Sequence, residues 1–276
     1  MRRFIETLSA KIRGFALGFD ASRDHADKAP LLAAVAGGFC LLALVLLMRG
    51  GASSPDFSDY AAGDERKDAF FSYLLPLVEE HNAELSSLRE EVLALSAEKS
   101  QLSFFEKRSV NALATTYEIE DFSLESDADW EILLRRIDIV PPSLALAQAA
   151  NESAWGTSRF AREGNNYFGQ WCYVQGCGIV PDARDAGATH EVAGFDSARE
   201  SVEKYMHNLN CHPAYTELRQ IRAQLRARNK PITGLDIAPG LGSYSERGEA
   251  YIEELSSMIR FNDLDQLDPG TAVKAD

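Results

Sequence analysis

Residues 147–156 read AQAANESAWG, a stretch that is mostly small or apolar but carries one glutamate, Glu152, close to a tryptophan. Pro141-Pro142 marks a boundary upstream, Ser143 stands where a cap would, and Gly156 stands where a stop would. The spacing therefore predicts one helix running through the whole stretch. On that helix Ala145, Ala149, Glu152 and Trp155 fall near one face, with Gln148 one step round. A carboxylate among apolar neighbours loses hydration, so its charged form is disfavoured and its pKa rises. A glutamate held protonated near neutral pH can serve as a general acid. Glycoside hydrolysis needs such an acid on the leaving oxygen, usually with a second carboxylate across the bond. The same residues also fit a solvated glutamate, or one paired with Arg159 about two turns on. Asn151-Glu152-Ser153 matches a glycosylation sequon, a chance match if this helix is buried.

Downstream, Arg159 to Arg162 suggest another helical turn, and Gly164-Asn165-Asn166-Tyr167-Phe168-Gly169 is a loop by composition. Residues 170–196 are rich in Gly, Val and aromatics, and His190 to Phe195 reads as part of a β-hairpin. A helix starts at Asp196 or Ser197 and runs to about Leu209, with Val202, Tyr205, Met206 and Leu209 on one face. Another covers about Ala214 to Arg228, and a last one about Ser245 to Phe261. The tail, 268–276, has a disordered composition. Upstream, 109–140 form a helical preface with one patch at Leu113, Tyr117 and Ile119 and another at Trp130, Leu133, Leu134 and Ile137. Asp127 is its expected cap. In 70–108, Phe71, Leu74, Val78, Leu85, Leu88, Val92, Leu95 and Leu102 occupy eight of ten a and d positions, His81 and Lys99 being the exceptions. That pattern fits a coiled-coil stalk, which offers a homodimer seam, or an amphipathic helix folded back on the outer domain. Residues 49–69 are a polar linker.

The stretch 30–48, PLLAAVAGGFCLLALVLLM, holds no charged residue, and its nineteen residues match a hydrocarbon core of ~30 Å. It reads as a transmembrane helix; a buried core helix, or a signal peptide cleaved near Ala52-Ser53-Ser54, is the competing reading. Residues 1–29 carry six Lys/Arg against four acids, whereas acids follow the span at Asp56, Asp59, Asp64 and Glu65. Positive-inside orientation leaves 1–29 as a cytoplasmic tail and puts the remainder outside the cytoplasm. The formal net charge is −14, so everything after residue 29 carries about −16. No basic stripe remains to neutralise phosphates, and nucleic acid is not an expected partner. Cys172 and Cys177 lie five apart in WCYVQGCG, which in an oxidising compartment reads as a short-loop disulfide. A zinc site combining them with His207, Cys211 and His212 is the alternative. No H-x3-5-H pair supports zinc, Cys211 is expected to be buried and inert, and Cys40 lies within the span.

The run PPSLALAQAANESAWGTSRFAREGNNYFGQWC resembles the core of the glucosaminidase family, which includes flagellar rod-assembly muramidases and staphylococcal-type autolysin domains. The shared signature is a helix ending in ES-x-WG-x-S, followed by a loop of the N-x-FG type. GNNYFGQWC, GCGIVP, GATHEV and NLNCHPAY are similar to motifs of its Bax-type subgroup of membrane-anchored proteobacterial proteins. The resemblance covers about residues 70–265 and is strongest over 139–215. It implies a mainly α (α+β) lysozyme-like catalytic domain over 141–267 and hydrolysis of the β-1,4 bond after N-acetylglucosamine in peptidoglycan, with no cofactor and no metal. It makes Glu152 the general acid. Glu191 matches the second acid, as base for a water or stabiliser of positive charge on the sugar, with Asp182, Asp185 and Asp196 nearby. Tyr244 matches the family tyrosine, with Tyr251 as core packing. Asn166, Phe168 and Gly169 match the groove loop, Trp155 supports the acid, and Trp171 and Tyr215 are aromatic candidates for sugar stacking. The implied setting is the bacterial inner membrane, single-pass, with the catalytic domain in the periplasm.

Ala154 stands where many members carry glycine, and Cys211 stands where a polar residue is expected. The acidic surface repels an acidic polymer, so binding depends on a groove rather than on steering. Retaining, inverting and substrate-assisted routes all stay open. A lytic transglycosylase or muramidase on the same fold is the rival enzyme; transglycosylases usually follow their ES with G-L-M-Q, where this chain has NYFGQW. The rival without catalysis is a membrane-anchored peptidoglycan-binding scaffold, against which the retention of Glu152, Glu191 and Tyr244 argues.

Overall fold

The computed structural model describes residues 54–182, 184 and 187–270. The expected cytoplasmic tail 1–29 and membrane span 30–48 lie outside the described residues, as do Asp185 and 271–276. Among the described residues no helix is long and apolar enough to cross a membrane.

The chain is mainly helical. Helix α1, Asp64–Ala97, has 34 residues and is about 50 Å long. Phe70, Leu74, Val78, Asn82, Leu85 and Val92 make its buried stripe, which packs on three helices of the same chain: α3 (Asp127–Arg136), α4 (Pro142–Ser153) and α6 (Ala198–Cys211). Asn82 fixes the register, its Nδ2 donating to the Val140 carbonyl at 2.8 Å and its Oδ1 accepting from the Val140 amide at 3.0 Å. Arg89 donates to the carbonyls of Leu134 and Ile137. Pro76 lies on the exposed side, where the Ser72 carbonyl it leaves unpaired meets water. Of the a and d residues, Leu74, Val78, Leu85 and Val92 are buried within the chain and Phe71, Leu88 and Leu95 are half-buried against the same core, which is the folded-back reading of the heptads. The helix is a brace. It also starts six residues before the expected boundary, and the expected linker is folded at Phe57, which is fully buried against Phe70, Tyr73 and Tyr167.

Helix α2, Phe104–Thr116, opens with a capping box between Ser103 and Glu106. Ser126, not Asp127, caps α3, its side chain accepting from the Asp129 amide, and Asp127 lies in the first turn where its charge favours the helix dipole. Helix α4 is the central element: every residue from Pro142 to Ala150 is buried, among α1, α8 (Gly234–Ile237), α9 (Glu249–Phe261) and the turn Leu264–Leu267. That enclosure explains its small apolar residues. Ser143 is not its cap. Pro141 and Pro142 start the helix, and Ser143 donates to Asp268 from its amide at 3.0 Å and its hydroxyl at 2.6 Å. Asp268 also accepts from the Gly234 amide at 2.8 Å, so the expected disordered tail begins instead with a buried anchor.

Helix α5, Arg159–Gly164, is capped by Ser158. The expected hairpin is a three-stranded antiparallel sheet of order β1-β3-β2, comprising β1 Trp171–Cys172, β2 Gly178–Ile179 and β3 Glu191–Ala193. Trp171 pairs with Val192, Cys172 with Glu191 and Gly178 with Ala193. Helix α6 starts after Ser197, whose side chain accepts from the Glu200 amide, and buries Val202, Tyr205, Met206 and Leu209 as its periodicity predicts. Helix α7, Thr216–Ala227, follows, and α9 starts four residues later than expected, after Gly248.

Candidate active site

A cleft of about 590 Å³ opens between the end of α4, the sheet and α6, within the size range of ligand pockets. Glu152, Phe168, Gly169, Trp171 and Tyr173 line it, with Lys204, Asn208, Cys211, Tyr215 and Tyr244 opposite or adjoining. Glu152 reaches it because α4 stops one residue later. Ala154, Trp155 and Gly156 take positive φ values of 50°, 60° and 75°, and the Ser153 hydroxyl accepts from the Gly156 amide at 2.8 Å while donating to the Ala149 carbonyl. Gly156 is required twice over, since a Cβ there would lie 2.2 Å from the Phe57 ring.

Glu152 is half-buried. Burial pushes its carboxyl above the ordinary range, and the neighbouring Glu254 charge adds to this; hydrogen bonds from Tyr251 and Asn151 and the Arg247 charge pull the other way and only partly offset it. Tyr251 on α9 donates to Oε1 at 2.9 Å. The other oxygen, Oε2, lies beside Gly169, where a Cβ would come within 3.3 Å of it. Gly169 (φ 63°) leaves that oxygen its space.

The loop after α5 is held by Asn166, which is buried. Its Nδ2 donates to the carbonyls of Gln170 and Ala193, and its Oδ1 accepts from the amides of Phe168 and Gln170. All its hydrogen-bonding capacity is used on the backbone, so it shapes the loop and does not line the cleft. Phe168 stacks on Tyr205 with centroids 3.9 Å apart.

Glu191 sits in a different setting. Its carboxylate accepts from the Gly176 amide at 3.0 Å and the Gly178 amide at 2.9 Å. Those amides hold it below the ordinary carboxylate range, aided by Arg184. The loop that presents them is closed by a Cys172–Cys177 disulfide. Glu191 is not among the cleft-lining residues, though it shares a face of β3 with Ala193, which is.

Residues 128–264 match the family Glucosaminidase, described as mannosyl-glycoprotein endo-beta-N-acetylglucosaminidase. The chain is 34% identical over 210 residues to Protein Bax of Escherichia coli (strain K12), covering 76% of this chain and 74% of that protein. The chain belongs to the glucosaminidase family. A solved structure, the catalytic domain of the autolysin Auto from Listeria monocytogenes, aligns over 80% of this chain and 93% of its own at a TM-score of 0.39 and 18% identity.

In this member of the glucosaminidase family the expected site residues divide. Glu152, Phe168, Gly169, Trp171, Tyr215 and Tyr244 meet at the cleft, whereas Trp155, Asn166 and Glu191 do not line it. Trp155 turns to the brace, packing edge-on against Phe70 and Phe71 with Lys67 over its ring. Tyr244 lines the cleft and donates to the Phe168 carbonyl at 2.9 Å, while Tyr251, read from sequence as packing, is buried and also donates to Glu152. Their rings stack at 5.6 Å. Cys172 and Cys177 are bonded to each other, which removes them from any metal set with His207 and Cys211. Cys211 is buried, and burial pushes its thiol up to about 12, so it is inert as a nucleophile. Gln148 and Tyr205 complete the site from behind; the helical position of Gln148 beside Glu152 was the one signal in the sequence that could have found them.

Proposed function

We propose that this protein is a membrane-tethered peptidoglycan hydrolase, an endo-β-N-acetylglucosaminidase that cleaves the β-1,4 bond after N-acetylglucosamine on a lysozyme-like fold. The observation that carries this reading is Glu152, a desolvated carboxyl with one oxygen held from behind by Tyr251 and the other beside Gly169 in the cleft. A protonated Glu152 donates to the glycosidic oxygen as the bond breaks, and the developing positive charge on the sugar needs an electron-rich partner. The backbone amides holding Glu191 favour the substrate's own N-acetyl group in that role, with Glu191 anchoring the disulfide loop. Trp171, exposed and tilted against His190 at 4.1 Å, offers the sugar an apolar face. Family membership and the likeness to Protein Bax support hydrolase chemistry. The apolar stretch 30–48 with its basic flank, and the disulfide, support an inner-membrane anchor with the domain in the periplasm.

Incubation of the full-length chain with peptidoglycan, borohydride reduction and mass spectrometry of the products is the test. Reduced N-acetylglucosamine ends are expected; muramic acid ends would mark a muramidase, anhydro-sugars a transglycosylase, and no products a scaffold. Glu152→Gln loses on the order of 10²–10⁴ of the rate with its circular dichroism unchanged. Glu191→Gln separates the two partner readings: a loss of that same order restores Glu191 as the direct partner, and a few-fold loss leaves the N-acetyl group.

A further inference from the structure

Behind Glu152 runs a chain of hydrogen bonds that begins at a side chain with no exposure to the cleft. Tyr205 is fully buried on α6. Its hydroxyl donates to Gln148 Oε1 at 2.6 Å, Gln148 Nε2 donates to the Tyr251 hydroxyl at 3.0 Å, and Tyr251 donates to Glu152 Oε1 at 2.9 Å. While Glu152 is ionised, proton counting fixes every direction. An ionised carboxylate only accepts, and a phenol has a single proton. Tyr251 must therefore give its proton to Glu152, so its oxygen must accept from Gln148. Gln148 then has to present its amide nitrogen to Tyr251 and its carbonyl to Tyr205, which must donate.

The consequence falls on the acid's own proton. In the protonated acid a reversed network would leave the buried Tyr205 proton without its Gln148 acceptor, so Tyr251 keeps donating to Oε1 and the acid carries its own proton on Oε2, the oxygen beside Gly169. We propose that Tyr205 is a positioning residue which, through Gln148 and Tyr251, holds the transferable proton of Glu152 on the oxygen that faces the substrate. This rests on the reading of Glu152 as the general acid. Without the Tyr205 hydroxyl the Gln148 amide is free to turn over. Tyr251 then donates to the Gln148 carbonyl and accepts from Glu152 Oε1, and the catalytic proton is turned inward.

Tyr205→Phe in the full-length chain is the test, because it keeps the ring that stacks on Phe168. The expected result is a roughly tenfold fall in kcat, in the range typical of outer partners that orient a reacting group, with KM unchanged. The alkaline limb of kcat/KM moves to higher pH, since the Glu152 carboxylate has lost a donor. Gln148→Met removes the alternative acceptor for the Tyr251 proton, so Tyr251 stays on Glu152 and the limb keeps its wild-type position, which assigns the Tyr205→Phe shift to the turned amide. Tyr205→Phe combined with Tyr251→Phe is no slower than Tyr251→Phe alone, because the first residue acts through the second. Titration of Glu152 by carbon-13 NMR of the side-chain carboxyl reads the same shift without substrate. An unmoved Glu152 titration in Tyr205→Phe, or rate losses that multiply in the double variant, overturns the proposal. A wild-type protein that cleaves no glycan overturns the general-acid reading instead, while the NMR titration still decides what Tyr205 does.

Discussion

Glu152 and Glu191 are the same residue type in opposed surroundings, one among apolar walls and one among backbone amides. Desolvation raises the first and hydrogen bonding lowers the second. With Glu152 as the proposed general acid, activity needs it protonated and is expected to be lost as pH rises through a pKa above the ordinary glutamate value. The loop anchored by Glu191 needs that carboxylate ionised, so it loosens only as pH falls through a pKa below the ordinary value. The kcat/KM profile is therefore expected to keep a plateau across the pH at which free glutamates titrate, with its alkaline limb displaced upward. A single sharp maximum at the ordinary glutamate pKa would show that neither environment acts as described. The apolar face of Glu152 was legible from helical spacing alone, because neighbours three and four apart share a face. The role of Tyr251 was not, because it sits 99 residues further along the chain.

At the scale of elements, the end of α4 decides where the acid points. Ala154 occupies a left-handed conformation, φ 50° and ψ 51°, which disfavours any residue with a Cβ. Ala154→Gly is expected to raise stability by about 0.5–1 kcal/mol, the relief of that strain less the added freedom of the unfolded chain. Urea unfolding of the two proteins measures it, and a less stable glycine variant would mean that the turn tolerates Ala154 without strain. The start of α6 at Asp196 or Ser197 and its buried face followed from sequence, since caps and periodicity are local signals, and the structure selects Ser197. The heptads of α1 gave the right helix and left its partner open. A stripe of Leu and Val buries equally well against a second copy or against its own domain, and Asn82 bonding to Val140 selects the domain.

For the whole molecule the dominant fact is a net charge of −14. If the substrate is an acidic wall polymer, protein and polymer repel each other before they touch. Raising salt from about 10 to 150 mM shortens the screening length from ~30 to ~8 Å, so kcat/KM on intact wall should rise over that range, while a neutral N-acetylglucosamine oligomer should respond little. A fall on the wall would reveal an attractive site that this charge distribution does not contain. Local pattern alone carried the helix bearing Glu152, the start and buried face of α6, and two cysteines spaced for a disulfide. Each depends on residues a few positions apart. Tertiary packing was needed to end α4 at Ser153 rather than at the expected Gly156, to put Tyr251 on the acid, to wrap Glu191 in the amides of the disulfide loop, to make α1 a brace, and to tie Ser143 to Asp268 from 125 residues away. Those outcomes follow from which helix faces pack together, and packing matches shape and hydrogen bonds over distances along the chain that no local pattern records.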